Sequence, residues 1–416
     1  HKLPMRKRLR TTPPPPSRAP PSDTSLGAFR RIPAPLTIRI LSFLDDRSLA
    51  RVGCSCRWFY KISGSESLWE KMATSRYSWL RPKKGHGETW RRFHRRLAMA
   101  VPEIWVVGGC TGEGDMLPVE IFRKEHPTKC SLVPCDLKTS RSIWVAREGA
   151  ALAVTKEERV VCIGGWHGVA PISTGFEAQF SSDSMELRKL PILNTPRCYS
   201  AAACVGDVLL CAGGSESPYA NDGDVYSSTE FLRFGAKEWL EGPKLSHVRS
   251  GHAVALTPQG NRLLAVGGYG GGNTFLQSME MLDFTRGGGL SWVRDERRMR
   301  CKRTGLGLAV GPGHCLYAVG GSCNGATMLS TVERLDLREP KWHKLASMAA
   351  PRGYCSAAFD SSGFLYAVGG LQDLSHHPLA TLERYDPRAD KWETVDGTLR
   401  FGRHSHAIAI SLPGPR

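Results

Sequence analysis

Six short apolar runs, each ending in Gly-Gly, recur in phase through the last three quarters of the chain: IWVVGG, VVCIGG, VLLCAGG, LLAVGG, LYAVGG and LYAVGG. The pairs are Gly108-Gly109, Gly164-Gly165, Gly213-Gly214, Gly267-Gly268, Gly320-Gly321 and Gly369-Gly370, spaced by 56, 49, 54, 53 and 49 residues. One such run constrains little. Six in register define an internal repeat, and a unit of about fifty residues of this kind buries its apolar faces only by stacking on its neighbours.

Other features keep the same phase. A Glu stands in an alternating strand after most diglycines: VEIF (119–122), TEFLRF (229–234), MEMLDF (279–284), VERLDL (332–337) and LERYDP (382–387). Trp239, Trp342 and Trp392 each lie nine residues beyond Glu230, Glu333 and Glu383; Trp292 lies twelve beyond Glu280, where Gly287-Gly288-Gly289 accounts for the extra three. Arg147, Arg197, Arg249, Arg303, Arg352 and Arg403 each precede a strand of small and apolar residues. Each repeat therefore reads as four short strands separated by turns, the pattern of a propeller blade. The diglycine supplies backbone angles that a Cβ would obstruct, and the late Trp is large enough to fill the wedge between blades.

This combination resembles the kelch repeat. The resemblance covers residues 102–411 and implies an all-β, six-bladed propeller, with 412–416 left as a tail. The segment RHSHAIAI (403–410) has the look of a first strand with no diglycine after it, whereas IWVVGG at 104–109 lacks a clear first strand before it. The C-terminal strand is thus expected to pair with IWVVGG and close the ring; LAMAV (97–101) is the competing donor. The second repeat is irregular, with FEAQF at 176–180 and Leu187 near the place of the Trp, and the first carries an insertion between Glu120 and Trp144.

The front quarter is different in character. The chain of 416 residues has a formal net charge of +17; residues 1–103 hold 22 Lys and Arg against 7 Asp and Glu, and the remainder is nearly neutral. Residues 1–28, with MRKRLR and a proline run, cannot bury a core and read as a disordered basic tail. The tail is either a solvated arm or a binder of nucleic acid, of an anionic membrane or of an import receptor. Residues 29–101 change to short amphipathic helices. Leu36, Ile40, Leu41 and Leu44 share one helical face, Asp46 suits an N-cap, and Leu49, Val52, Cys56 and Phe59 line the next helix. A unit this small has little core of its own and is more comfortable with one apolar face covered by a partner.

The order Ile32-Pro33, Leu36, Ile40-Leu41, Leu44, Leu49, Val52, Cys56-Arg57-Trp58 and Leu68-Trp69 resembles the F-box, and Trp90-Arg91-Arg92-Phe93 is similar to the helix that often follows it. That resemblance implies docking on a Skp-family adaptor and, through it, a cullin. It implies Ile32, Pro33, Leu36, Ile40, Leu44, Leu49, Val52 and Trp69 as contacts; each is alternatively a core residue of the small domain. The composite reading is a non-catalytic substrate adaptor of a ubiquitin ligase, in cytoplasm or nucleus, working by protein–protein interaction. The alternatives are a kelch scaffold or cytoskeletal protein, a kelch enzyme of the copper-oxidase kind, and a nucleic-acid-associated protein using its basic front.

The thirteen cysteines show no disulfide framework, and several lie in apolar strands, as free thiols of a reducing compartment do. Cys54 and Cys56 lack a second pair at zinc spacing, His376-His377 sits in a polar loop, and GGYGGGN (267–273) lacks the Lys-Ser/Thr of a phosphate loop. No run is long enough for a membrane helix. No cofactor, metal or catalytic set is expected. In a four-stranded antiparallel blade the loop entering the first strand and the loop leaving the second share one end. Arg197, Arg249, Arg303, Arg352 and Arg403, with Trp166, His167, Tyr199, Tyr219, Tyr269 and Tyr354, are therefore expected around one rim, where the resemblance places substrate docking. An arginine rim would favour an acidic or phosphorylated protein; the same arginines would otherwise brace their turns by bonding loop carbonyls.

Overall fold

The computed structural model describes Ile38 and Leu41, residues 62–63, 65–76, 87–93, 103–111, 120–124, 132–135 and, with short gaps, 147–411. The chain divides into two compact units, His1–Thr74 with Gly87–His94, and Ser75–His86 with Arg95–Arg416.

In the first unit the helix Glu66–Arg76 starts after Ser65, whose carbonyl accepts from the backbone N–H of Leu68 and Trp69. Leu68, Trp69 and Met72 fall on one face and pack with Leu41 and Ile62, with Ile38 and Trp90 against them. The Trp69 indole N–H donates to the Ser63 carbonyl at 2.9 Å. This side chain is only 4 % exposed, so the adaptor-contact role expected for Trp69 is corrected to a core role: a small helical unit needs its largest apolar side chain inside. Ile32, Pro33, Leu36, Ile40, Leu44, Leu49 and Val52 lie outside the described residues.

In the second unit the described strands form six four-stranded antiparallel sheets and one two-stranded ribbon. Blade 2 is Ala151–Val154, Val160–Ile163, Gly175–Phe180 and Met185–Leu190. Blade 3 starts at Ala201–Val205, blade 4 at Ala253–Leu256, blade 5 at Gly307–Gly311 and blade 6 at Ser356–Phe359. Blade 1 is composite. Its innermost strand is the C-terminal Ala407–Ser411, paired with Glu103–Val107, then Glu120–Lys124 and Leu132–Cys135. The ring thus closes as expected, with Ala407 opposite Val107 and Ser411 opposite Glu103.

The six innermost strands touch in sequence around the ring, blade 2 to blade 3 and onward until blade 1 meets blade 2 again. The second strands are buried over most of their length, and throughout in Val160–Ile163, Cys315–Val319 and Leu365–Val368, because blades cover both faces; this is why these runs do not alternate. The wedges are filled as the repeat phase implies. Trp239 packs with Ala151, Val161 and Ile163 of blade 2 and with Leu209 and Leu232 of its own blade, and Trp292 and Trp342 do the same one and two blades on. The Trp239 indole N–H donates to the Pro191 carbonyl at 2.9 Å. Among the described residues no helix is long and apolar enough to cross a membrane.

Candidate functional site at the channel mouth

The entering and leaving loops do converge. The residue after each Arg forms an isolated antiparallel bridge with the residue after a diglycine: His404 with Cys110, Glu148 with Trp166, Cys198 with Ser215, Ser250 with Tyr269, Thr304 with Ser322, and Gly353 with Leu371. Twelve residues, two per blade, therefore form a double ring at one end of the propeller.

The five arginines expected to face a ligand there are instead turned into the protein. Arg197, Arg249, Arg303 and Arg403 are 0 % exposed and Arg352 is 1 % exposed. In blade 5, Arg303 Nη1 donates to the carbonyls of Gly320 at 2.7 Å and Thr331 at 2.9 Å, while Nη2 donates to Thr331 Oγ1 and to Glu333 Oε1 at 2.8 Å. The same wiring recurs for Arg197 with Gly213, Ser228 and Glu230, Arg249 with Gly267, Ser278 and Glu280, and Arg352 with Gly369, Thr381 and Glu383. Arg403 pairs with Gly108 and Glu120 across the ring closure. Each Glu carboxylate also accepts two loop N–H groups in blades 3 to 6, such as Arg300 and Cys301 on Glu333. The arginines are therefore braces, and the expectation of an arginine-bearing docking rim is corrected. A guanidinium with five donors satisfies several loop carbonyls at once, and the buried Glu neutralises it.

Arg147 is the variant. Its Nη1 donates to Gly164 and Thr174, but Phe176 stands where the other blades have Glu, and the guanidinium lies 5.4 Å from that ring. Glu177, one place on, pairs with Arg159.

The arginine backbone ties neighbouring blades. The second glycine N–H of each pair donates to the carbonyl of the next blade's Arg: Gly109 to Arg147, Gly165 to Arg197, Gly214 to Arg249, Gly268 to Arg303, Gly321 to Arg352 and Gly370 to Arg403. All twelve diglycine residues have positive φ. At Gly267 (φ 67°) a Cβ would lie 2.6 Å from the Arg303 carbonyl oxygen. Close approach of the next blade and left-handed backbone thus both demand glycine.

Two residues beyond each Arg, the backbone closes on itself. Tyr199 N–H donates to Gly149, Gly251 to Tyr199, Gly305 to Gly251, Tyr354 to Gly305, Ser405 to Tyr354, and Gly149 to Ser405, at 2.7–3.2 Å. This is a head-to-tail circle of six hydrogen bonds around the axis, and all six residues have φ between 51° and 60°. For Tyr199, Tyr354 and Ser405 that conformation is strained, at about 1–3 kcal/mol each. Tyr199 lies over Gly149 and Tyr354 over Gly305, where a Cβ would meet the rings at 3.0 Å and 2.6 Å. The two rings meet edge to face at 5.9 Å. Below the circle the innermost strands line a channel of about 210 Å³. The aromatic pair thus lies over the channel mouth rather than standing apart on the rim.

Of the other expected rim residues, Trp166 is half-buried and His167 exposed on the two-stranded ribbon with Ala170–Pro171. Tyr269 is half-buried and packs on Phe275 at 5.3 Å. Tyr219 and His376 lie outside the described residues. Val169 and Leu374, both exposed, stand on the same leaving loops.

The double ring is the feature that sequence reasoning missed, although its signal was present: one residue after each Arg, one after each diglycine. Three of its bridges carry serine or threonine hydroxyls, with Ser215 Oγ 3.1 Å from Ser250 Oγ. The blade 1 to blade 2 seam is chemically different. There Cys110, Glu148 and His404 bring their Sγ, carboxylate and imidazole donor atoms within 4.8 Å of one another. No metal-ligating set was expected, because residues separated by up to 294 positions have no local spacing. Burial and the neighbouring Glu148 carboxylate push the Cys110 thiol far up, and burial pushes Cys198 up to about 12. Burial, then the Glu148 charge, raises Tyr199 as well.

A closed six-bladed ring with buried Arg–Glu braces defines a β-propeller whose one looped end is available for binding. Comparison with known proteins agrees. The KLHDC2/KLHL20/DRC7 kelch-repeats domain matches residues 199–412, just over half of the chain, and an F-box-like domain matches residues 29–75. Human Kelch-like protein 34 is 31 % identical over 237 residues, covering 54 % of this chain and 34 % of that protein; alpha-scruin of Limulus polyphemus is 35 % identical over 109 residues, covering 25 % and 11 %. The matched stretches thus span 34 % of the one relative and 11 % of the other. The solved structure of YjhT superposes with a TM-score of 0.53 at 13 % identity, over 65 % of this chain and 88 % of that one, which shows the shared fold. This chain belongs to the kelch-repeat family, with an F-box-like domain ahead of its propeller.

Proposed function

We propose that the chain is the substrate-recognition subunit of a Skp–cullin–F-box ubiquitin ligase, non-catalytic itself and acting in cytoplasm or nucleus. The observation that carries this reading is the pairing of an F-box-like domain at 29–75 with a propeller whose loops gather at one end. The F-box-like unit supplies the Skp-family contact and the looped end holds the protein to be ubiquitinated. Because the brace arginines are inside, they give no support to a preference for acidic or phosphorylated partners. Trp166, His167, Val169, Tyr269, Phe275 and Leu374 favour a partner with aromatic and aliphatic anchors instead.

Co-purification of the full chain with a Skp-family protein and a cullin tests the adaptor half. Replacing Ile32-Pro33 and Leu44 by polar residues is expected to abolish it while leaving the propeller folded. Retention of cullin by that variant would overturn the proposal. Loss of substrate, with cullin retained, is expected when Trp166 and Tyr269 are replaced by Ala.

A further inference from the structure

The seam where the ring closes carries a donor set that its five counterparts do not. The equivalent bridges offer a thiol beside a serine at Cys198 and Ser215, and hydroxyls at Thr304 and Ser322. Gly353 and Leu371 offer no side-chain ligand. Among the described residues, only the joining of Cys110, just after the first diglycine, to His404, just before the C-terminal strand, and to Glu148 of blade 2 places a sulfur, a nitrogen and a carboxylate together.

We propose that Cys110, Glu148 and His404 form a three-ligand binding site for a zinc-class divalent ion, pinning the two ends of the propeller to blade 2. The donor types suit that ion: thiolate, imidazole and carboxylate are its ordinary ligands, in tetrahedral sets. Cys110 Sγ lies 3.2 Å from His404 Nε2, close to the roughly 3.5 Å that two ligands of one tetrahedral zinc keep between them. Cys110 is 2 % exposed and His404 9 %, so ligand exchange with bulk water is restricted.

The second observation is the support around the ligands. His404 Nδ1 lies 2.9 Å from Ser405 Oγ, so that with its proton on Nδ1 the ring would turn the Nε2 lone pair toward Cys110. Tyr199 donates to the Glu148 carboxylate and stands 3.2 Å from Ser405 Oγ, so one hydroxyl pair orients both the imidazole and the carboxylate. Outer hydrogen bonds of this kind are what fix the tautomer and aim of metal ligands. The strained Tyr199 and Ser405 of the six-residue circle thereby acquire a role that glycine could not fill.

A Cys–His nucleophile is the competing use of the same pair. It needs a thiolate, whereas burial and the adjacent carboxylate hold this thiol protonated. A bound dication reverses that preference: the thiol loses its proton to solvent as the metal–sulfur bond forms, and the ion offsets both negative charges. Three protein ligands leave the fourth position to water.

The test uses the full chain in a non-chelating reductant, with Zn²⁺ and Co²⁺ as probes. One equivalent of Zn²⁺ is expected to bind and raise the melting temperature, reversed by a chelator. Co²⁺ is expected to show tetrahedral bands with a thiolate charge-transfer band that Cys110→Ser removes. Glu148→Gln is expected to weaken binding by about tenfold or more, and His404→Gln likewise. Cooperative melting of each metal-free variant shows that it folds; if Cys110→Ser does not, the other two variants decide. Absence of stoichiometric binding overturns the proposal. So does a charge-transfer band that survives Cys110→Ser, or affinity unchanged in both Gln variants, since the ion would then sit on other cysteines.

Discussion

At the scale of single residues, the brace arginines show why residue type alone does not announce exposure. Arg303 and Glu333 are 0 % and 1 % exposed and, besides each other, bond five polar groups of the surrounding loops, so removing one leaves the other buried and unmatched. Arg303→Met is expected to cost about 3–5 kcal/mol in a denaturant titration, and pairing it with Glu333→Leu should recover part of that loss. A docking arginine would instead leave stability intact and weaken binding. His252 supplies a pH signature. It is 6 % exposed; burial, then the Arg249 charge, lowers its pKa to about 3. Because the folded value lies below the unfolded value near 6.5, the unfolded chain takes up the proton first, and stability present above pH 6.5 falls as the pH drops toward 3. The slope belonging to this residue is about 1.4 kcal/mol per pH unit between pH 6 and 4.5, above the range where the lowered Asp283 and Asp336 titrate. His252→Leu should flatten the melting temperature against pH over that interval; an unchanged slope would assign it to other groups.

Strands and wedges form the next scale, and here the sequence was most legible. The apolar runs ending in Gly-Gly are the buried second strands, and the Glu-bearing segments are the third strands in blades 1 and 3 to 6. Trp239, Trp292 and Trp342 are each at most 5 % exposed and sit between two blades. Trp239→Ala is expected to cost about 3–5 kcal/mol and to lower cooperativity between blades 2 and 3, read by comparing circular dichroism with intrinsic fluorescence. Blade 2 resisted reading because Phe176 replaces the brace Glu and a cation–π contact replaces the ion pair. A motif search cannot see that substitution, since the two solutions share geometry and not chemistry.

For the whole propeller, stability depends on closure. The strand Ala407–Ser411 covers the open edge of Glu103–Val107, and Arg403 carries the brace from one end of the unit to the other. Deleting residues 403–416 should leave blade 1 without its innermost strand and expose a strand edge, giving aggregation in size-exclusion chromatography rather than a slightly less stable monomer. What the sequence determined by itself was the repeat, because a period of about fifty residues leaves its mark on local residue choice: glycine where φ is positive, Trp where a wedge needs filling, alternation where one face is buried. What only the tertiary structure decided was the direction of the arginines, the six-residue circle and the Cys110–Glu148–His404 seam. Those depend on which loops meet across the ring, and contact between positions nearly three hundred residues apart imposes no spacing that a linear reading can detect.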